Sequence, residues 1–228
     1  MELDFENGAV LLIDKPYKWT SFDVVNYVRK IAKVKVGHAG TLDPLATGLL
    51  ILCTGKMTKK IDAYQAQEKE YTGTITLGAT TPSFDLETEV DAVFPIQHLT
   101  EEGIKQAVEN FIGTLQQIPP AHSAKRIDGE RAYFKARRGE AVEVKPREVS
   151  ITEYEITGLD FKESTVDAHF RVVCSKGTYI RSLARDLGAA LQCGGFLSKL
   201  VRTRIGEFTL QNAKTVTDLR LLFPLPNN

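Results

Sequence analysis

The chain has 228 residues, with 29 Lys and Arg against 29 Asp and Glu, so its formal net charge is zero. Hydrophobic residues at 43% and charged residues at 25% are ordinary globular usage and exclude a disordered or fibrous chain. The longest apolar runs, 9–13 and 49–53, fall far short of the ~20 residues a bilayer crossing needs, and the N-terminus is acidic where a secretory signal is basic, so a soluble cytoplasmic protein is expected.

Residues 9–13, AVLLI, read as a buried strand ending at Lys15-Pro16. Thr20 or Ser21 can cap a helix whose apolar stripe is Phe22, Val25, Val28 and Ile31. A glycine-punctuated loop, GHAGTLDP at 37–44, leads into the second apolar run and a basic helix near 56–63. Residues 70–77 alternate like a half-buried strand, and the acidic section 82–95 reads as an exposed hairpin or loop. A helix is predicted from a Thr100 cap to Phe111. Residues 118–138, with Pro119-Pro120 and many charges, read as a mobile flap. Strands at 151–159 and 165–174, an amphipathic helix at 178–191, a strand at 196–210 and a short helix at 216–222 complete the chain. Strands and helices mix without a regular βαβ beat, which points to an α+β fold in one domain, residues 1–228.

The three cysteines, Cys53, Cys174 and Cys193, form no C-x-x-C pair, so buried structural thiols are expected rather than a disulfide framework or zinc site. Charge is unevenly spread. Residues 85–109 carry seven acids against Lys105, residues 125–147 eight bases against four acids, and residues 171–204 seven bases against Asp186. Two basic stretches on a neutral chain suggest a positive surface and a polyanionic partner.

Gly55-Lys56-Met57-Thr58 resembles the end of a phosphate-binding P-loop but lacks Ser or Thr directly after the lysine, and reads as a turn. The loop at 37–44 is more informative. Its two glycines permit tight turns, and Pro44 pushes Asp43 out of the α region, mounting a carboxylate on constrained backbone beside apolar sequence. Partial desolvation and a nearby cation would make it a positioned nucleophile or base. A candidate cation, Arg181, lies at a strand–turn–helix junction in SKGTYIR, 175–181.

Lys15-Pro16, GHAGTLDPLATG at 37–48, Lys69-Glu70-Tyr71 and SKGTYIR occur in that order, and with them the chain closely resembles the TruB family of tRNA pseudouridine synthases. The resemblance implies a pseudouridine-synthase-like α+β fold with a central mixed, mostly antiparallel sheet flanked by helices and loops. Residues 118–124 look like that family's RNA-gripping insertion, within a basic segment at 118–147; no further C-terminal RNA-binding domain is expected. The implied activity converts uridine 55 in the T arm of tRNA to pseudouridine without metal or cofactor, in a monomer. Asp43 matches the essential aspartate, Tyr71 the base-stacking tyrosine and Arg181 the arginine that pairs with the aspartate. His38, Tyr179 and Leu200 match positions that contact the flipped nucleotide or shape its pocket, and Lys15 one that supports the aspartate loop. The competing reading is a non-catalytic RNA-binding or tRNA-folding protein, indifferent to Asp43.

Overall fold

The computed structural model describes residues 4–120, 126–127, 130–131 and 145–222. In chain order the elements are β1 (Val10–Lys15), α1 (Ser21–Ala32), β2 (Val36–His38), β3 (Thr47–Thr54), a 3₁₀ turn (Gly55–Lys60), α2 (Ile61–Ala66), β4 (Lys69–Leu77), β5 (Ala79–Thr80), β6 (Ala92–Val93), α3 (Glu101–Glu109), β7 (Gly113–Gln117), β8 (Arg126–Ile127), β9 (Glu130–Arg131), β10 (Arg147–Phe161), β11 (Val166–Cys174), α4 (Ile180–Ala190), β12 (Gly195–Ile205), β13 (Phe208–Thr209), a 3₁₀ turn (Leu210–Asn212), β14 (Lys214–Thr215) and α5 (Val216–Leu222). They divide into two compact units, Met1–Thr72 with Leu200–Asn228, and Gly73–Lys199.

In the first unit the strand order is β14-β1-β3-β12-β4, with β2 on β3 and β13 on β12. β1 runs parallel to β14 and antiparallel to β3, whose first residues pair in parallel with Val201 and Arg202 of β12. Strand β3, TGLLILCT, lacks alternation because both of its faces are covered. Leu50 and Leu52 join Leu11, Ile13, Val24, Val25, Val28, Val36, Val216 and Leu219 in one core. Leu49, Ile51 and Cys53 form another with Ala39 and Ile205, against Ile61, Tyr64 and Phe208. Each such Leu or Ile contributes roughly 1.5–3 kcal/mol by leaving water.

Helix α1 starts at a capping box: the Thr20 hydroxyl accepts from the Asp23 N–H while the Asp23 carboxylate accepts from the Thr20 N–H. Its buried stripe is Ser21, Val24, Val25 and Val28 rather than one led by Phe22. Phe22 is exposed, with the Arg29 guanidinium 5.9 Å from its ring centroid. The small Ser21 takes the inward place because its hydroxyl is needed by the loop at Leu42.

In the second unit the order is β12-β4-β11-β10-β7, with a separate β5–β6 pair. β10 pairs antiparallel with β7 in continuous register and with β11 through register shifts near Ile151 and Ile156. Tyr154 sits edge-on to both Phe111 and Phe170, with centroids 6.2 and 6.1 Å away. Ile180, Leu183, Ala184 and Leu187 form the buried face of α4. The helix can pass close to the following turn because position 188 is glycine: a Cβ there would stand 2.2 Å from the Gly194 carbonyl carbon.

The mixed, largely antiparallel strands and flanking helices give the α+β fold expected from sequence. Two boundaries and one burial differ. The basic helix near 56–63 is a 3₁₀ turn followed by α2, since Gly55 at φ +48 starts it as a tight turn. The strand predicted over 196–210 ends at Ile205, where Gly206 at φ +53 turns the chain into β13. The acidic section 82–95 is not simply exposed, because Ser83 and Asp85 are buried. Of the flap at 118–138, residues 121–125, 128–129 and 132–138 lie outside the described residues. Among the described residues no helix is long and apolar enough to cross a membrane. Cys53, Cys174 and Cys193 are buried, and none is in a disulfide.

Candidate active site

Of the sequence-predicted site residues, Lys15, His38, Asp43, Tyr71 and Leu200 lie in the first unit, and Tyr179 and Arg181 in the second. Asp43 is half-buried on the loop between β2 and β3. It opens a turn in which the Ala46 N–H donates to the Asp43 carbonyl at 3.1 Å, with Pro44 supplying the fixed φ that such turns favour next. The backbone on either side is tied down. The Leu42 N–H donates to Ser21 Oγ at 2.9 Å, and that hydroxyl donates back to the Leu42 carbonyl at 3.1 Å. The Lys18 N–H donates to the Pro44 carbonyl at 2.9 Å, from a residue at φ +66.

A buried ammonium adds a further tie. Lys15 has no exposed surface, and its Nζ donates to the carbonyls of Trp19 at 2.6 Å, Pro16 at 3.0 Å and Pro44 at 3.4 Å. Burial lowers its pKa to about 8; the Asp43 carboxylate opposes the shift and the Arg202 guanidinium reinforces it. His38 ends β2, and burial, with Arg202 adding to it, pushes its pKa down, favouring the neutral imidazole. Tyr71 on β4 is 9% exposed and Leu200 on β12 8%, so each offers little more than an edge to solvent.

In the second unit, Arg181 lies in the first turn of α4 with 4% of its surface exposed. Its Nε stands 3.6 Å from an Asp85 carboxylate oxygen, and its Nη1 donates to the Ser83 carbonyl at 3.2 Å. Asp85 is brought inward by a bridge to Leu197 and by the Thr81 and Ser83 hydroxyls, which donate to its carbonyl at 2.7 and 3.1 Å. Phe84 meanwhile accepts the left-handed region at φ +61, a cost of about 1–2 kcal/mol, with Arg185 5.0 Å over its ring. Tyr179, just before α4, is fixed through its backbone. The buried Gln117 side chain accepts from its N–H at 2.7 Å and donates to its carbonyl at 3.1 Å. The Arg147 guanidinium lies 4.2 Å over the Tyr179 ring.

Asp85, Gln117 and Arg202 escaped the sequence reading, and Ser21 was read there only as a candidate helix cap. Asp85 was one acid in an acidic stretch and Arg202 one base in a basic stretch. Summed charge along the chain does not tell a solvated ion from a buried one. The stretch 171–204 illustrates this: Arg181 and Arg202 are buried, while Arg171, Arg185 and Arg204 pair with Glu153 at 2.6 Å, Asp186 at 2.7 Å and Glu68 at 2.9 Å. Much of that charge serves the fold.

Solved structures share this fold. A chain in a Cbf5-Nop10-Gar1 complex superposes with a TM-score of 0.70 at 31% identity, covering 92% of this chain and 53% of that one. One in an H/ACA RNP bound to a substrate RNA containing 2'-deoxyuridine gives 0.65 at 29%, covering 92% and 51%. This chain thus spans about half the length of those solved chains. At the level of sequence the class is that of the pseudouridylate synthases: the TruB family pseudouridylate synthase N-terminal domain matches residues 28–180, and the tRNA pseudouridylate synthase B C-terminal domain matches residues 181–223. The chain belongs to the TruB family. Similar proteins named tRNA pseudouridine synthase B include one from Parabacteroides distasonis, 54% identical over 91% of this chain and 90% of that protein, and one from Phocaeicola vulgatus, 52% identical over 94% and 92%.

Proposed function

We propose that this protein isomerises uridine to pseudouridine at position 55 in the T arm of tRNA, as a cytoplasmic monomer without metal or cofactor, with Asp43 as the reacting carboxylate. The observation that carries the reading is the Asp43 loop: a half-buried acid on backbone tied by Ser21, Lys18 and buried Lys15, in a chain of the pseudouridylate synthase class.

The chemistry suits such a residue. The target base is stacked in folded RNA and must be extruded, at a cost of a few kcal/mol. Stacking on Tyr71 would return ~1–3 kcal/mol of that. The C1′–N1 bond then breaks, and a carboxylate stabilises or traps the positive character left on the sugar. The detached uracil rotates, a C1′–C5 bond forms, N1 gains a proton and C5 loses one, so the product is an isomer. The base must not diffuse away meanwhile, which requires a snug, water-excluding pocket; the resemblance assigns His38, Tyr179 and Leu200 to positions that contact the flipped nucleotide or shape its surroundings. The resemblance assigns Arg181 to the same chemistry, as the guanidinium partner of the aspartate.

Incubation with an unmodified tRNA transcript, followed by mapping of pseudouridine, tests this. Conversion at the T-arm uridine is expected. Tight tRNA binding with unchanged nucleoside composition would instead favour a non-catalytic RNA-binding protein, and conversion elsewhere would overturn the substrate assignment.

A further inference from the structure

Arg202, on β12, is 1% exposed and is among the largest fully buried side chains of the described residues. A guanidinium in the interior is costly unless its donors are satisfied and its charge is answered. Its hydrogen bonds go to three backbone carbonyls: Nε donates to Leu49 at 2.7 Å, Nη2 to Gly40 at 3.0 Å and Nη1 to Thr41 at 3.5 Å. Gly40 and Thr41 enter the Asp43 loop, and Leu49 lies just beyond its exit. One rigid fork therefore grips the loop at both ends.

Backbone geometry makes the reach possible. Arg202 pairs in parallel with Gly48 at the start of β3. Gly48 has φ +101, and a Cβ there would lie 2.4 Å from the Arg202 carbonyl oxygen. The strands approach this closely only because residue 48 is glycine, and that closeness sets the guanidinium beneath the loop. Lys15 reaches the same loop at Pro44, also through carbonyl oxygens. Two buried cations that grip backbone rather than carboxylate surround the segment that carries Asp43.

We propose that Arg202 is a positioning residue for Asp43: its planar fork fixes both ends of the loop and so holds the carboxylate at the place where it reacts. The proposal rests on Asp43 being the reacting acid. Displacing a reacting group by about 1 Å can cost on the order of 100-fold in rate with little effect on binding, and lysine cannot supply a two-ended planar grip.

The test compares wild type, Arg202→Lys, Arg202→Met and Asp43→Asn by tRNA affinity, single-turnover rate on a tRNA transcript, and thermal melting. Arg202→Lys is expected to melt cooperatively and to bind tRNA within about threefold of wild type. Its single-turnover rate should fall on the order of 100-fold, with Arg202→Met slower still. A single-turnover rate within about threefold of wild type, equal losses in rate and affinity, or failure of Arg202→Lys to fold would overturn the positioning role. If Asp43→Asn is inactive while Arg202→Lys turns over normally, only the Arg202 inference fails. If Asp43→Asn is active, the reading beneath it fails.

Discussion

Titrating Lys15 separates the chemistry of the aspartate loop from the stability of the fold. The side chain is fully buried, and burial lowers its ammonium from 10.5 to about 8. The folded value lies below the unfolded one, so between about pH 8 and 10.5 the unfolded chain holds more protons and the stability contributed through Lys15 rises with pH. A gap of about 2.5 units at ~1.4 kcal/mol each amounts to about 3 kcal/mol. Catalysis should move the other way. The neutral amine has lost its charge and one N–H, so one of its three carbonyl partners loses its donor, and the longest bond, 3.4 Å to Pro44 in the loop, is the first to go. Single-turnover rates on a tRNA transcript are expected to fall with a midpoint near pH 8. Urea melts of wild type and Lys15→Met across the same range isolate the lysine, because other titrating groups cancel in the difference. The unfolding free energy of wild type minus that of the variant should rise by up to about 3 kcal/mol. A rate that stays flat well above pH 8, or a stability difference that falls with pH, would refute the reasoning.

Three substitutions probe the scaffold. Asp85→Asn removes the charge facing buried Arg181 at 3.6 Å, and breaking a buried pair from one side costs about 3–5 kcal/mol; a loss under ~1 kcal/mol in urea melts would show that other bonds hold the guanidinium. Gly48→Ala forces a Cβ to 2.4 Å from the Arg202 carbonyl at φ +101. It should destabilise by at least about 2 kcal/mol and lower the single-turnover rate, whereas an unchanged melting temperature would contradict the close approach of β3 and β12. Thr20→Ala breaks the capping box that starts α1 and should cost about 0.5–2 kcal/mol in urea melts with tRNA affinity retained; no change would deny the cap its role.

The fold was legible wherever local chemistry and the core agreed. The apolar run at 49–53 stood out in the sequence and lies in a strand covered on both faces, and the Thr20 and Thr100 caps marked two helix starts within a residue. Phe22 was misplaced because periodicity weighs size and hydrophobicity, whereas the loop at Leu42 required a hydroxyl on the inward face. The glycine loop and its aspartate stood out through φ requirements written into Gly40 and Pro44. Their supports did not. Arg202 meets the loop from some 160 positions away in sequence, and Asp85 meets Arg181 from nearly 100 away. Nothing in a run of acids or bases marks the one that is buried.

The most direct measurement is the single-turnover yield of pseudouridine at the T-arm uridine with Asp43→Asn, an isosteric change that removes the carboxylate charge and leaves the loop's ties in place. With tRNA affinity and melting temperature near wild type, the variant should produce no pseudouridine above the uncatalysed background. Conversion at the wild-type rate would show that the carboxylate on this loop does not do the chemistry.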